Sequence, residues 1–265
     1  MNVLNKILEC EKEYVKCFCN ADEQQDFIRF TDDLIPDMWY QNYTWIKNAD
    51  DDAAFLQLVE SEILYSKKSG KNFCLIRCHT PINRTILSNL PEEPEISVAG
   101  YYMFDKTFEL SNLNKVKDSE VIRIHTPEML EDLLKLDLEH DEESLGNDFC
   151  TRRVYRRKNL YLSDSALDSY IIYYKNEAVG SCDLFINNNV VKIEDFAISQ
   201  NHQHKGFGTT LMKTMIEIAS NKKATVIYLE TDEEDTAKTM FQKCGFIKID
   251  DFIDLSFYNL TKNGV

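Results

Sequence analysis

Glycine and proline are scarce in this 265-residue chain, at 8 and 5 positions. That excludes collagen-like repeats and Gly/Pro low-complexity segments. No apolar run reaches the roughly 18 residues of a membrane-spanning helix. The opening residues, Met1 to Glu13, alternate apolar and charged side chains. That is a helix pattern, where a signal peptide shows an unbroken apolar stretch, and we expect a cytoplasmic protein. Basic residues are in deficit: 30 Lys and Arg face 45 Asp and Glu, a net charge of −15. A surface of that sign repels phosphate backbones and anionic lipid, so neither nucleic acid nor a membrane is the expected partner. It tolerates cationic substrates such as amines. The segments before and after residue 118 carry −7 and −8, so there is no basic tail.

Cysteine is plentiful, but metal-ligand spacing is missing. Cys10, Cys17, Cys19, Cys74, Cys78, Cys150, Cys182 and Cys244 form no CxxC pair, and His79 is the one histidine near a pair. A structural zinc site wants two close pairs, or a pair and spaced histidines. Reduced, buried thiols and no metal are therefore expected.

Aromatic residues cluster at Trp39, Tyr40, Tyr43 and Trp45, which include both tryptophans. They read either as a small core or as the wall of a ligand pocket. Helices are expected over 1–20 and 52–68, the second stopped by Lys67, Lys68 and Gly70. Strands are expected at 73–77 and 96–104, with a short helix at 81–90. A polar, turn-prone stretch at 112–119 suggests a boundary, dividing a smaller N-terminal α/β domain (1–118) from a second domain (119–265). Ile76-Arg-Cys-His-Thr-Pro echoes Ile122-Arg-Ile-His-Thr-Pro. The residues after the two copies do not match, so the echo reads as coincidence.

The second domain is more regular. A strand at 121–124 and a helix opened by Pro127 and running to Leu138 precede a three-strand meander at 169–174, 178–186 and 190–198. After the meander come a long helix (209–219), a strand (225–231), a helix (about 235–243) and terminal strands from Phe246. Arg152 to Lys158 is the one basic cluster and reads as a solvated face balancing nearby acids.

The chemically informative segment is Gln203-His-Lys-Gly-Phe-Gly208, between strand and helix. Its glycines let a ligand approach the main chain, and the unpartnered first amides of the helix attract an anion. It is neither a P-loop, which needs GxxxxGK[ST], nor a dinucleotide loop, because hairpin-linked strands precede it.

Gln203-x-x-Gly206-x-Gly208 resembles the Q/R-x-x-G-x-G/A signature of the Gcn5-related N-acetyltransferases (GNAT). The likeness extends in order through Ala178-Val-Gly180, Phe196-Ala-Ile198, Leu229-Glu230, Ala237 and Cys244-Gly-Phe246. It implies a mixed, mostly antiparallel α/β (α+β) sheet flanked by helices and splayed after the third meander strand. Acetyl-coenzyme A would lie in that split as acyl donor. Its pyrophosphate would rest on Gln203, His204, Lys205, Gly206, Phe207, Gly208 and Thr209, and its pantetheine arm beside Ala197 and Ile198. The implied reaction is direct attack by a primary amine of a small molecule or peptide in a ternary complex.

Glu230 is then the first choice for the carboxylate that helps deprotonate the amine, with Glu194 and Asp195 next; strand alternation sets those two on opposite faces. The family often has a tyrosine that protonates the leaving thiolate. Phe241 stands there and cannot donate a proton, leaving Tyr258 or Tyr228 as substitutes. A coenzyme A-binding or interaction module with weakened catalysis is therefore the alternative reading. The first 118 residues could be a divergent second copy of the fold, although they lack the glycine signature, and a homodimer is left open.

Overall fold

The computed structural model describes residues 2–49, 51–79, 82, 84–234 and 236–260. In chain order the elements are α1 (Val3–Lys16), β1 (Asn20–Glu23), β2 (Phe27–Thr31), β3 (Thr44–Ile46), α2 (Asp52–Lys68), β4 (Phe73–Cys78), β5 (Glu95–Phe104), β6 (Ser119–Arg123), α3 (Pro127–Leu145), α4 (Asn147–Tyr161), β7 (Leu167–Tyr174), β8 (Glu177–Asn187), β9 (Val190–Ile198), α5 (Phe207–Asn221), β10 (Val226–Asp232), α6 (Ala237–Lys243) and β11 (Phe246–Tyr258). No described helix is long and apolar enough to cross a membrane.

Local chemistry explains most boundaries. The two meander hairpins turn at Lys175–Asn176 and at Asn188, all at positive φ, the left-handed region that such turns require. Pro127 starts α3, which runs past the expected end at Leu138 to Leu145. Gly146, at φ +83, breaks it and opens α4, a helix absent from the expected elements. Charge hid that helix, but Cys150, Val154, Arg157 and Tyr161 are its buried residues and keep helical spacing. A short 3-10 turn, Arg84–Asn89, occupies the expected 81–90 helix, whose residues 81 and 83 lie outside the described ones. Thr80 and Pro81 of the echo, and the start of the 235–243 helix at Asp235, also lie outside them.

The chain forms two compact units. The larger holds Met1–Tyr14, Tyr101–Thr231 and Asp235–Ile249; the smaller holds Val15–Gly100, Asp232–Glu234 and Asp250–Val265. The packing therefore divides the chain differently from the boundary expected at 118, because α1 and the end of β5 belong with the C-terminal elements.

In the larger unit the strand order is β5-β10-β9-β8-β7-β6. Strands β6 to β9 pair antiparallel in sequence, and β9 pairs parallel with β10 through the α5 crossover. Leu211, Met212, Met215, Ile216 and Ala219 of α5 fill the core against Val191, Ile193, Ile227 and Leu229. In the smaller unit β1, β2 and β3 pair antiparallel, and β3 runs parallel to β4 through α2. Phe55, Val59 and Ile63 of α2 pack on Ile46, Cys74, Ile76 and Leu255.

The smaller unit thus repeats β7-β8-β9-α5-β10 as β1-β2-β3-α2-β4. The hexapeptide echo does not reflect this repeat. Ile76 lies on β4, whose counterpart is β10, whereas Ile122 lies on β6.

Candidate functional site

The parallel ladder between β9 and β10 is short. It pairs Val226 with Val190, Ile227 with Val191 and Tyr228 with Lys192, and goes no further. Both strands continue, β9 to Ile198 and β10 to Asp232, so the sheet parts as the resemblance implied. Ala197 and Ile198 lie on this parted length of β9. Phe241 of α6 is buried against Phe196, ring centroids 5.8 Å apart. It adds apolar surface and no hydroxyl.

The loop after β9 leads to the start of α5. Gln203, His204, Lys205 and Gly206 are exposed, and Gly206 caps α5 at φ +89, a conformation costly for other residues. No side chain caps this helix and no acid lies in its first turn. The first helical bond is Thr210 N–H to Gly206 O, so the amides of Phe207, Gly208 and Thr209 precede any internal acceptor. Gln203 donates to Ile198 O at 3.2 Å, fastening loop to strand. Lys205 donates to Asn201 O at 2.6 Å, which keeps its charge at the loop. The Phe207 side chain is buried in the core beside His202, so only its main chain is available to a ligand.

The counterpart helix start in the smaller unit differs. Asp51 caps α2, its carboxylate accepting from Ala54 N–H at 2.8 Å. That carboxylate holds the place an anion would take, and no glycine stands in the preceding 47–51 segment. Of these two helix starts, only that of α5 is left without a side-chain cap.

A bulge lies beside the loop. Asp183 pairs with Glu194 and Ser181 with Ala197, so three steps of β9 oppose two of β8, with Asp195 at φ +47. The extra residue corrects the expected alternation: Glu194 and Asp195 fall on the same side. Asp195 pairs with Arg157, whose charge also reaches Glu194. Arg157, expected on a solvated face, is buried, and its guanidinium lies 3.3 Å from Asp183. Tyr161 O–H donates to Asp183 at 2.6 Å, and burial pushes the Asp183 carboxyl above the usual range.

Between α3, α4 and this part of β8 and β9 is a cavity of about 240 Å³. Asp137, Asp141, Asp183 and Asp195 line it against Arg153 and Arg157, and Phe196 and Ala197 form part of its wall. His140 lines it too, with a buried Nε2 that has no hydrogen-bond partner among the described residues.

The expected bases are already engaged. Lys192 is 1% exposed, and its ammonium meets Glu11 at 2.7 Å and both Glu194 and Glu230 at 2.9 Å. Three carboxylates share one cation, a cluster that sequence reasoning did not anticipate. Burial, reinforced by Glu230 and offset by Lys192, pushes the Glu11 carboxyl up to about 7; burial also raises Glu194. The substitute hydroxyls lie elsewhere. Tyr228 is fully buried near Glu11 and Cys10, and Tyr258 belongs to the smaller unit, its ring against Trp39. Most of the cysteines are buried thiols, as expected. Burial pushes Cys10 and Cys74 up to about 12 and Cys244, beside the site, to about 11.

Comparison with known proteins agrees with this geometry. Residues 128–246 match the model of the acetyltransferase (GNAT) family. An N-acetyltransferase of Bacillus subtilis strain 168, CgeE, itself uncharacterised, is 27% identical over 128 residues, 46% of this chain and 49% of that protein. The chain spans about half the length of that curated relative. A crystal structure of a functionally unknown conserved protein from Staphylococcus epidermidis superposes with TM-score 0.76 at 16% identity, covering 91% of this chain and 94% of that one. A GCN5-related N-acetyltransferase from Kribbella flavida gives 0.70 at 12% identity, covering 97% and 96%. At such identities these two show the fold, and they extend it over both units. Residues 128–246, which contain the parted strands, the loop and the open helix start, belong to the acetyltransferase (GNAT) family.

Proposed function

We propose that the protein is an acetyl-coenzyme A-dependent N-acetyltransferase whose acceptor is a primary amine, attacking directly in a ternary complex. The observation that carries this reading is the parting of β9 from β10 beside an uncapped helix start. The residues present fit the donor. The amides of Phe207, Gly208 and Thr209, with Gln203, His204, Lys205 and Gly206, suit its phosphates, and the main chain at Ala197 and Ile198 suits its pantetheine arm. When bound, the donor supplies a thioester, an acyl carbon already activated toward nitrogen. In this reading a main-chain amide of the parted β9 edge would stabilise charge on the carbonyl oxygen.

The cavity beside the bulge carries four acids against two arginines. That surplus favours an acceptor that arrives as a cation. A lysine-like ammonium has a pKa of about 10.4, so it must lose a proton before it attacks. In our reading Glu230 takes that proton, directly or through water, with Glu194 the next choice, because their group holds more negative charge than Lys192 neutralises. The nitrogen–acyl bond forms as the carbon–sulfur bond breaks, and the departing thiolate is protonated by solvent, since Phe241 offers no proton.

Phe241 favours a second reading, a coenzyme A-binding module without turnover. One experiment separates the two. A Cβ on Gly208 would meet nothing closer than 3.7 Å, so Gly208→Asp adds a carboxylate at the helix start with room at its Cβ. We expect saturable calorimetric binding of acetyl-coenzyme A to the wild type and at least a tenfold loss in Gly208→Asp, about 1.4 kcal/mol. Mass-spectrometric screening of amines then reads acetylated product. Binding without product across cationic acceptors selects the second reading, and no binding to folded protein defeats both.

A further inference from the structure

The aromatic cluster at 39–45 divides in the structure. Tyr43 and Trp45 are core residues, whereas Trp39 and Tyr40 are 41% and 58% exposed. Exposed aromatic surface gathered at one place is informative where scattered apolar residues are not. Trp39 and Tyr40 sit on a 3-10 turn at the mouth of a cavity of about 200 Å³ within the smaller unit. The Trp39 ring lies 5.1 Å from Tyr258 and 6.1 Å from Phe73, centroid to centroid, with tilted planes. Both of those residues line the same cavity.

The polar lining has one sign. Glu95 and Asp232 contribute carboxylates, Ser97 and Ser256 contribute hydroxyls, and no lysine, arginine or histidine among the described residues lines the cavity. Cys74 also lines it, and burial pushes its thiol up to about 12, so it is neutral at physiological pH. Aromatic faces attract cations through their quadrupole, and two carboxylates reinforce that field. The same carboxylates oppose phosphates and other anions. A neutral apolar ligand would gain from the rings but not from the acids.

We propose that this cavity is a binding site for a small organic cation, an alkylated or quaternary ammonium seated against Trp39 and Tyr258 with Glu95 and Asp232 balancing its charge. The site lies wholly within the smaller unit and does not rest on the acyl-transfer reading.

The test titrates choline chloride into the full chain by calorimetry, beside 3,3-dimethylbutan-1-ol, its uncharged isostere. We expect saturable choline binding and an isostere at least about tenfold weaker. Trp39→Leu should weaken choline by about tenfold or more, and Trp39→Phe, which keeps a ring, by less. Glu95→Gln with Asp232→Asn should weaken choline and flatten its salt dependence without affecting the isostere. Both acids are exposed, so this pair remains informative if Trp39→Leu misfolds by thermal melting. Failure of choline to saturate folded wild type, or equal binding of the isostere, would overturn the proposal. Unchanged affinity in folded Trp39→Leu would do so too, since the cation would then lie elsewhere.

Discussion

Lys192 stands in the run Val190-Val-Lys-Ile193, flanked by apolar residues of β9. It is buried because Glu11 of α1 meets it. A buried ammonium is tolerated only when paired, and here three carboxylates compete for it. The excess negative charge and burial hold the Glu11 carboxyl near 7, above its ordinary 4.5. The folded state therefore keeps a proton that the unfolded chain releases. Stability from this group is greatest below pH 4.5, falls as pH rises toward 7 and levels off above it. The loss is on the order of 3 kcal/mol. Glu11→Gln fixes the neutral form. Urea unfolding from pH 5 to pH 8 should show a smaller decline in stability for Glu11→Gln than for wild type. Parallel curves for the two proteins would mean that Glu11 is ionised throughout.

At the scale of elements, a glycine and a bulge set the geometry of the parted strand. A Cβ on Gly180 of β8 would meet Ile198 Cδ1 at 2.5 Å and Ala197 O at 2.6 Å. One of those atoms is backbone, so β9 itself would have to move at the two residues proposed for the pantetheine arm. Gly180→Ala is expected to lower stability by about 1–3 kcal/mol, the usual cost of overpacking. It should also weaken acetyl-coenzyme A binding, although Gly180 is outside the proposed contact residues. Chemical denaturation with calorimetry checks both, and undiminished affinity would show that the β8–β9 spacing is not critical. The glycine was visible in the sequence as part of Ala178-Val-Gly180. The bulge was not, because nothing in Glu194-Asp195-Phe196 marks an extra residue, and the predicted faces of the two acids were wrong for that reason. Helix α4 was legible in its buried stripe but obscured by its arginines, which the structure spends on Asp137, Asp141, Asp183 and Asp195.

For the whole molecule, the division of the chain matters more than its length. The larger unit takes α1 and Tyr101–Phe104 from the N-terminal part, and the smaller takes the end of β11, paired with β4 from Ile253 to Tyr258. A fragment of residues 119–265 would leave Lys192 without Glu11 and the β10 edge without β5. It would also expose the β11 segment that pairs with β4. We expect this fragment to be aggregated or molten, with dye-binding apolar surface and little protection from hydrogen exchange, while the full chain is protected. A well-protected, cooperatively folding fragment would restore the boundary at 118.

Short-range patterns determined what the sequence alone could settle. The hairpin turns, the α2 stop, the meander and the Gln203–Gly208 loop depend on residues a few positions apart, where backbone preference and periodicity act directly. The GNAT resemblance rested on that same ordered set. Tertiary structure decided the rest. It paired Lys192 with Glu11, buried Arg157 between two acids, split the aromatic cluster into core and cavity wall, and gave each unit segments from both the N-terminal and C-terminal parts of the chain. Those outcomes turn on the cost of burying charge and on which faces find cover, and both are set by residues far apart in the sequence.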